Sequence, residues 1–184
     1  MKFVNLEGGM YRTQVPLGKR IEASMILRQI DERLRKLINH LNAKYMIDIK
    51  NPLNVHAPLI ANLLEDYNSK SIQETHPLED GETSYVLTDG KILSLCIRHT
   101  DGSIYVFHDI NTLTFVGLHE ITHIATASSA HSDKFWRVFK WLLIEAVTIG
   151  IYKPIDYKKY PVMYCDKINI TYSPLYDDTL GDFF

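Results

Sequence analysis

The stretch His119-Glu120-Ile121-Thr122-His123 restricts what this chain can fold into more than any other. It lies inside an apolar run of Leu113, Phe115, Val116, Leu118, Ile121 and Ile124, whose spacing predicts a helix apolar over most of its surface. Such a helix belongs at the centre of a fold. Two imidazoles and a carboxylate are costly there unless they bind or pair with something. Positions i and i+4 of a helix share a face, so both imidazoles project the same way. The fold must therefore cover most of this helix and still leave its His119–His123 face open to a cleft.

On a helix, H-E-x-x-H is a metal-binding pattern: two imidazoles hold the ion and the glutamate sits beside it. A catalytic zinc takes three protein ligands and keeps a fourth position for water. Two residues compete for the third place. His131 follows the small-residue turn Ala127 to Ala130, where the chain can fold back and deliver it, and is favoured. Glu145, on the following helix, is the alternative. Asp133 ranks behind both, with helix N-cap or acceptor for His131 as its expected role. With Zn²⁺ held by His119, His123 and His131, Glu120 is placed to take a proton from the attacking water as general base and pass it to the leaving amine. Tyr152, Tyr157, Tyr160 and Tyr164 are candidates to stabilise the oxyanion, and the sequence selects none of them. His40, His56, His76, His99 and His108 are scattered and read as surface or structural residues, although His108 precedes the active-site helix and is placed to line the cleft.

The chain has 184 residues, enough for one domain with a proper core. Apolar residues make up 46% and charged residues 23%, with a net charge of -2 and a pI near 6.4, so the whole chain is no electrostatic match for nucleic acid. Cys96 and Cys165 are far apart and form no C-x-x-C pair, which excludes a zinc ribbon and predicts two buried free thiols in a reducing compartment. The N-terminus lacks the apolar run of a signal peptide and no stretch has the length of a membrane span, so the expected location is intracellular.

The expected layout is α+β. Residues 1–18 read as an extended N-terminal arm, 19–175 as one domain and 176–184 as an acidic tail expected to be disordered. Ile26, Ile30, Leu34, Leu37 and Leu41 predict an amphipathic helix from Lys19 to Lys44. Tyr45 to Ile49 reads as a short strand, Pro58 as the first turn of a second helix, and Asn68 to Thr83 as an exposed loop. Asp89-Gly90 and Asp101-Gly102 predict the turns of a meander with strands Ser84–Thr88, Lys91–Arg98 and Ser103–Phe107. The middle strand is expected to bury one face, and the last to bind an extended peptide along its edge. Asp109 or Asn111 caps the His119 helix, and Ser132 or Asp133 caps a long helix to Ile149 that Gly150 ends. Asp166 to Tyr172 alternates like an edge strand.

Ile92 to Arg98, the hairpin and strand after it, Leu118 to His123, and His131-Ser132-Asp133-Lys134-Phe135-Trp136 together resemble the WLM and SprT-like zinc metallopeptidases. These compact minigluzincin proteases include the Spartan-type enzymes that degrade DNA–protein crosslinks. Their third ligand is a histidine in an H-x-x-x-F or H-x-x-x-F-W setting, which here is His131, Phe135 and Trp136. The resemblance covers Lys91 to Gly150 and fits the N-terminal helix more loosely. It implies a zincin-like fold: N-terminal helices, a small antiparallel or mixed sheet, the H-E-x-x-H helix and a long helix after it. It also implies His119, His123 and His131 as zinc ligands, Glu120 as catalytic base, and peptide-bond hydrolysis in intracellular protein substrates. The step from His123 to His131 is slightly longer than in the WLM pattern, and no zinc ribbon, basic tail or ubiquitin- or SUMO-binding motif accompanies the site. DNA-associated substrates are thus an implication of the resemblance alone. Stand-alone members of this kind occur in large DNA viruses, and the economy of this chain suits such an origin. The competing readings are a peptidase dedicated to one partner and a zinc-stabilised binding module without activity. The intact Glu120 weighs against the second.

Overall fold

The structure, a computed structural model, describes residues 2–6, 9–14, 17–48, 51, 53–67, 71–76, 81, 83–87 and 92–183. It is α+β. Strands β1 (Lys2–Leu6) and β2 (Gly9–Thr13) form an antiparallel hairpin, so the expected extended arm is a pair of strands. Helix α1 (Arg20–Tyr45) follows, with Leu27, Ile30, Leu34, Leu37 and Leu41 buried along one side. The strand expected at Tyr45–Ile49 is instead the end of α1 and a short 3-10 turn, Met46–Asp48. The helix persists because the Tyr45 hydroxyl reaches Glu145 at 2.6 Å, a partner 100 residues away. Helix α2 (Ala57–Asp66) carries Pro58 in its first turn, as expected, where the missing N–H costs nothing.

The loop expected at Asn68–Thr83 contains a central strand, β3 (Ile72–Glu74), all three residues of which are buried. Its polar side chains are tolerated because they are satisfied. Glu74 accepts from Arg98 Nε at 2.6 Å and from the Gln14 backbone N–H at 2.8 Å. Next come β4 (Tyr85–Val86) and β5 (Leu93–Leu95); the Asp89-Gly90 turn expected between them lies outside the described residues. The five strands make one mixed sheet in the order β1-β2-β3-β5-β4, with β3 parallel to both neighbours and β4 at the edge.

The expected meander breaks after Leu95. Strands β6 (Arg98–Asp101) and β7 (Ile104–Phe107) form a separate antiparallel pair, turning at Gly102 with φ +62°. Leu93 to Arg98 is buried on both faces, not one. Ser94 is bonded to Thr75 Oγ1 at 2.7 Å, and Arg98 spans Glu74 and the carbonyls of Leu17 and Gly18. Helices α3 (Ile110–Thr126) and α4 (Asp133–Thr148) complete the core, and β8 (Val162–Tyr164) and β9 (Ile168–Ile170) form a third small sheet.

Helix α3 presses on α1 at Gly117, where a Cβ would lie 3.3 Å from Ile30 Cγ2 and 3.4 Å from Leu34 Cδ1. Cys96 and Cys165, expected as separate thiols, are joined: Sγ–Sγ is 2.01 Å and Cα–Cα 5.9 Å. The left-handed turn at Cys165 and Asp166 returns the β8–β9 hairpin to the point where the chain leaves β5, and Asp166 is fixed there by the Thr100 N–H at 2.7 Å. The tail expected to be disordered packs on α4. Lys140 Nζ donates to the Leu180 carbonyl at 2.8 Å, and the Phe183 ring lies on Trp141 with centroids 6.1 Å apart. Among the described residues, no helix is long and apolar enough to cross a membrane.

Candidate metal centre

The ends of α3 and α4 set the site. Asp109 caps α3 through its carboxylate, which accepts from the N–H groups of Asn111 and Thr112. Of the two expected caps of α4, Ser132 is the one used, accepting from the Phe135 N–H at 3.2 Å. Asp133 instead pairs with Arg137 Nε at 2.8 Å one turn along and is exposed. Between the helices, Ala127 takes φ +49° and turns the chain back, so that His131 meets α3.

His119, His123 and His131 converge. One ligand atom from each lies within 4.8 Å of the others, and His119 Nε2 is 3.0 Å from His131 Nε2. The turn also fixes the tautomer of His123. Its Nδ1 is 2.8 Å from the Ser128 carbonyl, which can only accept, so Nδ1 carries the proton and Nε2 keeps its lone pair. Phe135 sits beside all three rings, with centroids 5.0, 4.5 and 4.8 Å from His119, His123 and His131. Trp136 stacks on His131 at 5.5 Å. The phenylalanine and tryptophan that open α4 therefore hold the three imidazoles in place.

Burial, with the neighbouring His123 and His131, pushes the His119 imidazole down to about 3. Burial likewise lowers His123, against the opposing pull of the Ser128 carbonyl. Both rings stay neutral at ordinary pH, the form that binds a metal. Two Nε2 atoms at 3.0 Å, within N–H···N hydrogen-bond distance, and a third imidazole beside them bring three nitrogens close enough for one divalent cation to be held by all of them.

The triad lines a cavity of about 1150 Å³ together with Glu120, which is itself buried. The wall opposite α3 comes from Ser84–Leu87 around β4 and from Lys167–Tyr172 around β9. The expected substrate strand, Ser103–Phe107, is not part of it: β7 pairs with β6 away from the cavity, and the edge strand at the site is β4.

The chain is similar in sequence to proteins of large DNA viruses. It is 32% identical over 151 residues to the uncharacterized protein R325 of Acanthamoeba polyphaga mimivirus, covering 81% of this chain and 72% of that protein. The chain belongs to the family of that mimivirus protein. It is also 32% identical over 103 residues to the uncharacterized protein 136R of Invertebrate iridescent virus 6, covering 56% of each chain. The uncharacterized protein 042R of Invertebrate iridescent virus 3 is 35% identical over 97 residues, 53% of this chain and 58% of that protein. No family model and no solved structure matches.

The other site candidates are sorted by the fold. Glu145 does not reach the triad: it accepts from His40 Nε2 at 2.7 Å, Lys44 Nζ at 2.8 Å and the Tyr45 hydroxyl at 2.6 Å. His56 stacks on Tyr45 at 4.3 Å, and His76 is buried near Tyr105. His108 does not line the cavity. It is buried beside His99, accepts from the Cys165 N–H at 3.1 Å and packs against Tyr164 with ring centroids 4.9 Å apart. Of the four tyrosines, Tyr164 alone lines the cavity, with its hydroxyl 2.6 Å from Ser84 Oγ. Burial, aided by the nearby Glu120 charge, raises its pKa. Tyr152 and Tyr157 pack against Phe115, and Tyr160 is exposed. The sequence reading missed Tyr172, whose ring meets Trp136 at 5.1 Å and whose hydroxyl donates to Asp177 at 2.8 Å. The strand expected at Ser84–Thr88 is present as β4, but its place in the cavity wall was not foreseen, nor was the Ser128 carbonyl. Only the tyrosine-rich tail hinted at Tyr172.

Proposed function

We propose that this chain is a zinc-dependent endopeptidase with a zincin-like fold, acting on protein substrates inside the cell. The carrying observation is the convergence of His119, His123 and His131 beside Glu120 on the floor of an open cavity. Three imidazoles suit zinc among the common divalent ions. Bound there, Zn²⁺ supplies a water of lowered pKa and polarises a carbonyl. Glu120 takes the proton of the attacking water and returns it to the leaving nitrogen. Ser128 orients His123, and Phe135 and Trp136 keep the ligands from rotating away. The outer edge of β4, at Tyr85 and Val86, is positioned to pair with an extended peptide. The likeness to WLM and SprT-like peptidases in the H-x-x-x-F-W segment supports the same reading.

The viral relatives make a host cell the proposed place of action. A fully buried disulfide is unusual in a reducing compartment, and intact mass before and after thiol alkylation reads which state the chain holds there. Nothing basic in the cleft apart from Lys167 favours DNA, among the described residues. DNA-linked substrates are one subset of the proposed class, and added DNA is not expected to stimulate cleavage.

The test is a pair of variants on the purified chain. Glu120→Gln keeps one equivalent of zinc and loses cleavage of an unfolded protein by on the order of 10²- to 10⁴-fold. His119→Ala loses both metal and activity. A wild-type chain that holds zinc and cuts nothing supports a zinc-stabilised binding module instead.

A further inference from the structure

The cleft follows α3. It is lined from Phe115 and Val116, past His119, Glu120 and His123, to Ala127. At 1.5 Å per residue that stretch of helix runs about 18 Å, which accommodates about five residues of extended peptide. The histidines lie near the middle, so substrate extends to both sides.

The two ends differ in chemistry. From Phe115 a series of ring contacts runs through Phe139 and Trp136 of α4 to Tyr172, and Ile170, two residues before Tyr172, also lines the cavity. The rings interlock: Phe115 and Phe139 are 5.1 Å apart, as are Trp136 and Tyr172. At the Ala127 end the lining includes Ser128 and Ser129. Among the described lining residues the only Asp, Glu, Lys or Arg side chains are Asp66, Glu120 and Lys167. A bulky apolar side chain gains at the aromatic end by leaving water. A charged one loses its hydration there without a cluster of counter-charges to replace it.

Resting on the peptidase reading above, we propose that the cleft is directional. It seats one bulky apolar side chain of the substrate between α3, α4 and β9, and small or polar residues beyond His123. Such side chains lie inside folded proteins, so the substrate class is unfolded or partly unfolded protein segments. Pocket contacts of this kind discriminate by on the order of 10- to 100-fold.

The experiment has two arms. The zinc-loaded wild-type chain digests a chemically unfolded protein, and the cut sites are mapped. The expected result is Leu, Ile, Met or Phe enriched on one fixed side of the cut bond; cuts without side bias overturn the proposal. In the second arm, Glu120→Gln in a Trp141→Phe background binds a Phe-containing peptide and its Asp-substituted twin, read by Trp136 emission. The Phe peptide binds on the order of 10- to 100-fold more tightly, and equal binding overturns the proposal. Ile170→Asp removes most of that preference while zinc content stays, and Tyr172→Ala acts in the same direction at a half-exposed position if Ile170→Asp unfolds. Selective binding without any cutting by the wild type sinks the peptidase reading and leaves the selective cleft standing. Cutting with no bias does the reverse.

Discussion

Around Glu145 a buried carboxylate collects donors from three side chains of α1: His40, Lys44 and Tyr45, all within 3.1 Å. Around His119 nitrogen faces nitrogen: His131 Nε2 at 3.0 Å, with His123 alongside, its Nδ1 already committed to Ser128. Both clusters join histidine to helices α3 or α4, and each holds one of the two residues that competed in the sequence for the third ligand place, Glu145 in the first and His131 in the second. The first closes on itself, since every donor has its acceptor. The second brings three imidazole nitrogens together, at separations one divalent cation would bridge. A set of titratable groups is thus read by the chemistry of its atoms: cations and hydroxyls around a carboxylate close on themselves, and converging imidazole nitrogens suit a metal ion.

The largest expected effect breaks the comparison outright if it fails. His131→Ala lowers zinc affinity by more than about 100-fold, since a lost ligand costs more than a lost supporting contact. Glu145→Gln leaves zinc affinity as it was. Both are read by competition with a chromophoric chelator. Zinc loss in Glu145→Gln together with retention in His131→Ala would reverse the assignment of the third ligand.

Stability gives the mirror image. Glu145 is almost fully covered, and its removal leaves the Tyr45 hydroxyl and His40 without their acceptor. Glu145→Ala is expected to cost about 1–3 kcal/mol in denaturant unfolding of the zinc-free chain. Little of that comes from Lys44, which is about half exposed. Trimming His131, which is exposed, costs the zinc-free chain less than Glu145→Ala does. A Glu145→Ala chain as stable as the parent would make that node ornamental.

The same contrast explains what could be read in advance. The helices and their ends were legible because local chemistry specifies them: Pro58 in a first turn, the Asp109 and Ser132 caps, the three- and four-residue spacing of α1. The triad was legible because the spacing His119 to His123 and the Phe135-Trp136 pair are local. What escaped depends on distant partners. Ile72-Gln73-Glu74 reads as loop until Arg98 and Gln14 are known to satisfy Glu74. Tyr45 leaves the strand pattern because of Glu145, and the Cys96–Cys165 bond joins residues 69 apart in sequence. Glu145 stayed a candidate ligand for the same reason, its three partners lying about 100 residues upstream.

The last contrast uses pH to separate a buried neutral histidine from a buried charged carboxylate. Burial, with His99 beside it, pushes His108 down to about 4 from an ordinary 6.5. The unfolded chain therefore takes up a proton between those values that the folded chain refuses. Protonation favours unfolding, so stability falls as pH drops from 6.5 towards 4, by at most about 1.4 kcal/mol per pH unit for this one group. Glu145 behaves differently. Burial pushes its carboxyl up, but Lys44, Tyr45 and His40 outweigh that and hold it below its ordinary 4.5. Its contribution is complete above 4.5 and is lost only as pH falls below it. His108→Gln keeps an acceptor for the Cys165 N–H but cannot titrate, so it flattens the slope between pH 6.5 and 4 relative to the parent chain. Glu145→Gln leaves that upper window alone and flattens the slope below 4.5. Chemical unfolding at a series of pH values measures both, and a His108→Gln chain with the parental slope would show that His108 is protonated in the folded state.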